Sequence, residues 1–235
     1  MKKIRRIILF ICEAAWVLGC SNPDVVPLNP ESYFPLRVGD YRVYQVTTTS
    51  YNQLTCSSHA NDTTKNFFIK TWVTDSAKNA EGGYTYVIQR LTTADTTQAW
   101  QNLDTWSARV SANQAVVYEE NIPYVKIVFP LRDSTTWNAN LYNNLAETDY
   151  KLINHNVPYT LANGKKFSTT LSVRQSNTQN LVNKDVRTEV YASSVGLIYR
   201  SSSVVVYLTD GNCFGTQTPK TGLDYQQILL RYGHQ

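Results

Sequence analysis

The chain is poor in the residues and spacings from which catalytic sites are built. Its 235 residues include three histidines, His59, His155 and His234, each far from the others, and four cysteines. No G-x-S-x-G nucleophile elbow, H-E-x-x-H zinc helix, phosphate-binding glycine loop or dinucleotide fingerprint occurs. Cys56-Ser-Ser-His59 has the spacing of two zinc ligands, but no second Cys/His pair completes a site, so neither a metal nor any other cofactor is expected. His155 stands between turn-forming asparagines and reads as a loop residue rather than a base. Glu119 and Glu120 are adjacent, so strand alternation sends them to opposite faces and they cannot serve one bond. They read as a solvated strand end that resists edge pairing. These absences argue against an enzyme.

Long apolar runs are also missing. The longest near the start, residues 7–11, falls far short of the ~20 residues that span a bilayer. It follows Lys2, Lys3, Arg5 and Arg6 and leads to Val17-Leu18-Gly19-Cys20, the layout of a secretory leader. That tetrapeptide resembles the lipobox of bacterial lipoproteins, although Leu18 replaces a smaller residue and Glu13 interrupts the apolar region. Cys20 is then the acylated first residue of the mature protein, with an ordinary secretory signal or an uncleaved anchor as the alternatives. Removing residues 1–19 takes away four basic residues and one acidic one, so the formal charge of +4 falls to +1. That balance gives no reason to expect a nucleic-acid partner.

The expected organisation is a leader over 1–19, a lipidated tether over 20–32 and a single β-domain over 33–235. The tether contains three prolines before position 31 and reads as extended chain. With Cys12 in the leader and Cys20 lipidated, Cys56 and Cys213 remain as a pair suited to an oxidising compartment. Their bond would join the loop after the first strand to the loop before the last.

No segment carries a sustained helical stripe. Tyr, Val, Thr and Ile are abundant, and turn signals such as Asn163-Gly164 and Asp210-Gly211 recur at short intervals. In Lys166–Val173 the residues Phe167, Thr169, Leu171 and Val173 share one face, and Lys166, Ser168, Thr170 and Ser172 the other. The fold class is therefore all-β. About ten strands are expected in a curved antiparallel sheet, a half-barrel or open barrel. One or two short helices are expected in residues 92–104 and 138–147.

Phe-Pro-Leu-Arg occurs twice, at 34–37 and 129–132. Proline cannot donate to a sheet ladder, so each copy should mark a strand end, as two equivalent corners whose Phe and Leu plug an open end. The stretches YFPLRVGDYRVYQV, FPLRDSTTWNANLYN and EVYASSVGLIYRSS resemble a group of uncharacterised lipoproteins of Gram-negative bacteria. Members carry a Phe-Pro-Leu…Gly…Trp/Tyr opening and a Tyr-Ala…Val-Gly-Leu closing motif. Here Tyr41-Arg42 stands where that group often has Trp, and Ile198 where it has Val. The resemblance implies an antiparallel sheet around a concave face, distantly similar to the half-barrel of periplasmic lipoprotein carriers. It implies no activity.

The expectation for function is a non-enzymatic, lipid-anchored envelope protein with a structural or interaction role. With no acidic run after Cys20, it is placed on the outer membrane facing the periplasm. Its partners would be the membrane and either an envelope protein or an apolar small molecule. A second expectation is a carrier of an apolar, acyl-chain ligand on the concave face. That face would be lined by Phe167, Leu171, Val173, Val186 and Val190 and closed by Phe34 and Leu36 or by Phe129 and Leu131. Lys166, Arg187 and Glu189 would then face water. A third is a glycan-binding surface protein, for which Trp72, Trp100, Trp106, Trp137 and the many tyrosines would supply rings.

Overall fold

The computed structural model describes residues 30–57 and 61–235. The leader, Cys20 and residues 21–29 lie outside the described residues, as does His59. The β-branched and aromatic segments form twelve strands among the described residues. These are β1 (Asp40–Asn52), β2 (Thr63–Lys78), β3 (Tyr84–Thr93), β4 (Gln101–Val110), β5 (Gln114–Glu119) and β6 (Ile122–Val128). They continue with β7 (Thr136–Asn138), β8 (Asp149–Thr160), β9 (Lys166–Gln179), β10 (Asn183–Ala192), β11 (Gly196–Tyr207) and β12 (Pro219–His234). All join one antiparallel sheet in the order β6-β5-β4-β3-β2-β1-β12-β11-β10-β9-β8-β7.

The sheet curls until its edges approach. Val125 N donates to Ala139 O at 2.9 Å, and the Trp137 indole donates to Val125 O at 2.8 Å. The barrel is thus nearly closed and has more strands than the half-barrel of about ten expected from sequence. Among the strands beyond that number is β7, three residues long and too short to display a period of two. His155 lies within β8, not in a loop, and its Nδ1 is 2.7 Å from Asp133 Oδ1.

Neither expected helix forms; the described residues hold only short 3-10 segments at Pro30–Tyr33 and Gly211–Cys213. In both places side chains bind the backbone locally and offer it an alternative to helical bonds. Thr97 N donates to Asp95 Oδ1 at 2.9 Å, and Leu145 N to Asn143 Oδ1 at 2.9 Å.

Strand order explains the repeated phrase. β1–β6 make one six-stranded meander and β7–β12 another, and a Phe-Pro-Leu-Arg corner precedes each. Both corners turn apolar side chains toward the same inner cluster, built on Ile127, Trp137, Leu152, Leu171, Val173 and Tyr191. Phe129 belongs to it, while Phe34 and Leu131 pack against it. A second cluster gathers Tyr44, Val46, Ile69, Val190, Ile198 and Leu229. The tip of the β8–β9 hairpin reaches β11 and β12: Asn163 Nδ2 donates to Leu229 O at 2.9 Å, and the Tyr159 and Tyr199 rings lie 6.1 Å apart.

Cys56 and Cys213 are bonded, with their Cα atoms 5.3 Å apart. The link joins the segment after β1 to the loop before β12, two strands that pair from Asp40↔His234 to Asn52↔Thr221. Among the described residues no helix is long and apolar enough to cross a membrane.

Candidate functional site: a barrel mouth above a buried ion cluster

One end of the barrel gathers the start of β1, the end of β12, the start of β3 and the first Phe-Pro-Leu-Arg corner. They enclose an open cleft of about 820 Å³. Tyr41, Tyr84, Tyr86 and Tyr232 line it with Phe34 and Leu36. At its rim the Asp40 carboxylate lies 3.1 Å from Arg37 Nη2 and 3.0 Å from His234 Nδ1. Arg42 fixes the floor. Its guanidinium donates to Pro35 O at 3.1 Å and also to Val195 O, tying the corner to the β10–β11 turn. That approach requires glycine at 196, where φ is +87° and a Cβ would stand 3.0 Å from Arg42 Nε.

Below the corner, strands from both meanders bring four charges together. Lys126 Nζ on β6 lies 2.6 Å from Glu119 Oε1 on β5 and 3.2 Å from Glu189 Oε1 on β10. Arg200 on β11 approaches the same carboxylates at 3.9 and 3.6 Å. Tyr191 donates to Glu189 Oε2 at 2.6 Å. Lys126 is 4% exposed and Glu189 1%. Burial opposes each charge, and the opposite charges overcome it. Lys126 and Arg200 are held above their ordinary range by the two glutamates. Both glutamates are held below theirs by Lys126 and Arg200. Burial, then the Glu189 carboxylate, keeps the proton on Tyr191. The cluster thus holds two cations and two carboxylates in mutual contact within the barrel.

The space beside the cluster, bounded by Leu36, Tyr44, Trp106 and the four charged groups, is about 80 Å³. That accommodates a few waters, well short of the roughly 300 Å³ at which small-molecule sites begin.

The residues expected to line an open concave face fall into different places. Phe34 and Leu36 border both cleft and cavity, and Phe34 lies 5.9 Å from the Tyr191 ring. Phe129 and Leu131 occupy the other corner. Leu171 and Val173 face inward but are fully buried, in contact with core side chains. Phe167 packs against the second cluster, Val190 is buried within it, and Val186 borders a shallow polar groove with Thr47, Thr49 and Ser203.

For β10 the expected phase is inverted. Glu189 and Tyr191 point into the barrel, which puts Val190 on the opposite face. Glu119 likewise faces the interior, not solvent, while Glu120 sits in the β5–β6 turn at φ 51°. The reason is that inner positions carry ions, and an outer face is also covered, so apolar alternation no longer marks the inside. The available signal was a lone charge within an apolar strand: Lys126 in Tyr-Val-Lys-Ile-Val and Glu189 in Thr-Glu-Val-Tyr-Ala. Its partners, spread over distant strands, could not be read from it.

Among the described residues no group of three or more His, Cys, Asp or Glu side chains could hold a metal ion. No protein-family model matches the chain, and no curated protein does. Among solved structures it is similar to a Bacteroides fragilis protein thought to be exported and described as having a YmcC-like fold. The match has 12% identity and a TM-score of 0.42, and covers 85% of this chain and 98% of that one.

Proposed function

We propose that this protein is a lipid-anchored component of the bacterial envelope, held through Cys20 at the outer membrane facing the periplasm, and that its barrel is a rigid, non-enzymatic interaction module. The observation that carries this reading is the occupied interior. Leu171 and Val173 are 0% exposed, Glu119, Lys126, Glu189 and Arg200 neutralise one another, and the cavity beside them is about 80 Å³. An acyl chain has no room there, so the carrier reading is not favoured. An accessible concavity lies at the mouth, at the end of the barrel where Phe34 and Leu36 enter. The basic and apolar leader ending in Val17-Leu18-Gly19-Cys20 supports the anchor. The Cys56–Cys213 bond supports an oxidising compartment.

Metabolic labelling with an alkyne fatty acid tests the anchor. Cys20→Ala is expected to accumulate as unlabelled precursor, and normal labelling of that variant would overturn the assignment. Titration with an apolar fluorescent probe tests the interior: no saturable uptake is expected, and uptake would restore the carrier.

A further inference from the structure

We propose that the mouth cleft binds a neutral oligosaccharide. This rests on the interaction role proposed above and names the ligand class for it. Four tyrosines converge on the cleft, and Tyr84 and Tyr232 are 45% and 50% exposed. No protein group bonds the hydroxyls of Tyr41, Tyr84, Tyr86 or Tyr232 among the described residues. Tyr33, Tyr44, Tyr51, Tyr191 and Tyr225, by contrast, each donate to a protein acceptor. A tyrosine presents an apolar ring face and a polar tip, which matches a sugar ring with its C–H face and peripheral hydroxyls. Tyr232 on β12 and Tyr84 on β3 are three strands apart, and Tyr84 lies six residues, roughly 20 Å, along β3 from Arg90, the residue in register with Tyr232, so the two mark out a long cleft that suits an extended chain of sugars.

The rim chemistry narrows the choice. Arg37 is engaged by Asp40, and Arg42 by two backbone carbonyls. The rim guanidinium groups are therefore already engaged, which disfavours a phosphate or carboxylate ligand. Arg37 and His234 both contact Asp40 Oδ1, which leaves Oδ2 as an acceptor for ligand hydroxyl groups. A proline-rich peptide, which would also seat on aromatic rings, has few N–H donors to offer the second Asp40 oxygen, Oδ2, that Arg37 and His234 leave free. An acyl chain would remain largely in water, because the cleft is open.

The test is a calorimetric titration of the purified full chain in detergent with cellohexaose, maltohexaose, chitohexaose and laminarihexaose, and with a proline-rich decapeptide. Saturable binding of at least one sugar is expected. It should weaken about tenfold in Tyr84→Ala and in Tyr232→Ala and persist within a few-fold in Tyr84→Phe. Circular dichroism and melting should stay unchanged, because both rings are half exposed. Binding of none of the four sugars, binding unaffected by both alanine variants, or binding of the peptide alone overturns the proposal. Any of these with normal labelling at Cys20 removes the sugar site and leaves the envelope assignment standing.

Discussion

Replacing Lys126 with Met removes one cation from the barrel interior while keeping most of the side-chain volume. At an effective dielectric of about 20, the attractions of Lys126 to Glu119 and Glu189 are on the order of 6 and 5 kcal/mol. Much of this offsets the several kcal/mol spent on desolvating each ion. Without Lys126 the two glutamates keep Arg200 as their contacting cation, at 3.9 and 3.6 Å, and Glu189 keeps the Tyr191 hydroxyl. Leaving a buried ion network short of one partner costs about 3–5 kcal/mol. For a domain of this size that corresponds to a melting temperature lower by roughly 6–20 °C.

The pH dependence gives a sharper check. In the wild type both glutamates titrate below their ordinary range, so the stability they bring is complete above the unfolded value near pH 4.5 and is lost as pH falls through their depressed values. In Lys126→Met, burial is opposed chiefly by Arg200, with Arg90 acting on Glu119 and the Tyr191 hydroxyl on Glu189, and both carboxylates shift upward. The deficit relative to wild type should therefore shrink between pH 7 and pH 5. Urea denaturation at the two pH values measures it. A cost under about 1 kcal/mol at pH 7, or a deficit that grows on acidification, would refute the account of a desolvated, mutually neutralised cluster.

The Cys56–Cys213 bond closes a loop with a sequence separation of 157, so Cys213→Ser should cost up to about 5 kcal/mol; an unchanged urea midpoint would contradict this. At Gly222, φ is +138° and a Cβ would fall 2.2 Å from Val204 O. Gly222→Ala should thus disturb the β11–β12 ladder by at least about 2 kcal/mol, visible as lost hydrogen-exchange protection in those strands. Leu171→Trp should overpack the inner cluster and cost about 1–3 kcal/mol; a variant as stable as wild type would mean that the concave face has spare volume.

Strand positions were legible because most strands show at least a partial period of two and are separated by clear turn signals. The three residues of β7 offered no period. The failed helices in residues 92–104 and 138–147 contain Asp95 and Asn143, whose side chains close turns that compete with a helical first turn. The Cys56–Cys213 pair was legible by elimination among few cysteines. The ion cluster was not. Glu119, Lys126, Glu189 and Arg200 come from four strands in two meanders, and local alternation assigns each a face without saying that the inner face holds charge. The mouth cleft was legible only through Phe34 and Leu36. Its tyrosines come from β1, β3 and β12, and β12, from the far end of the chain, joins the other two only because the two meanders pair through β1 and β12.

The strand order also says something about synthesis. Read from β7 through β12 and on through β1 to β6, every strand lies beside its successor. The barrel is thus a simple up-and-down ribbon whose chain has been cut in the middle of the sheet, with the sheet's edges at the β6–β7 join. A nascent chain emerging from its N-terminus must leave one side of β1 without a partner until residues 219–234 arrive, and that long-range closure is slow and exposes an edge. Moving the cut to the β6–β7 join and linking Asp40 to His234, already register partners, would make every pairing sequential. Such a permutant should refold faster than the natural order while keeping the same barrel, and stopped-flow fluorescence would register the difference.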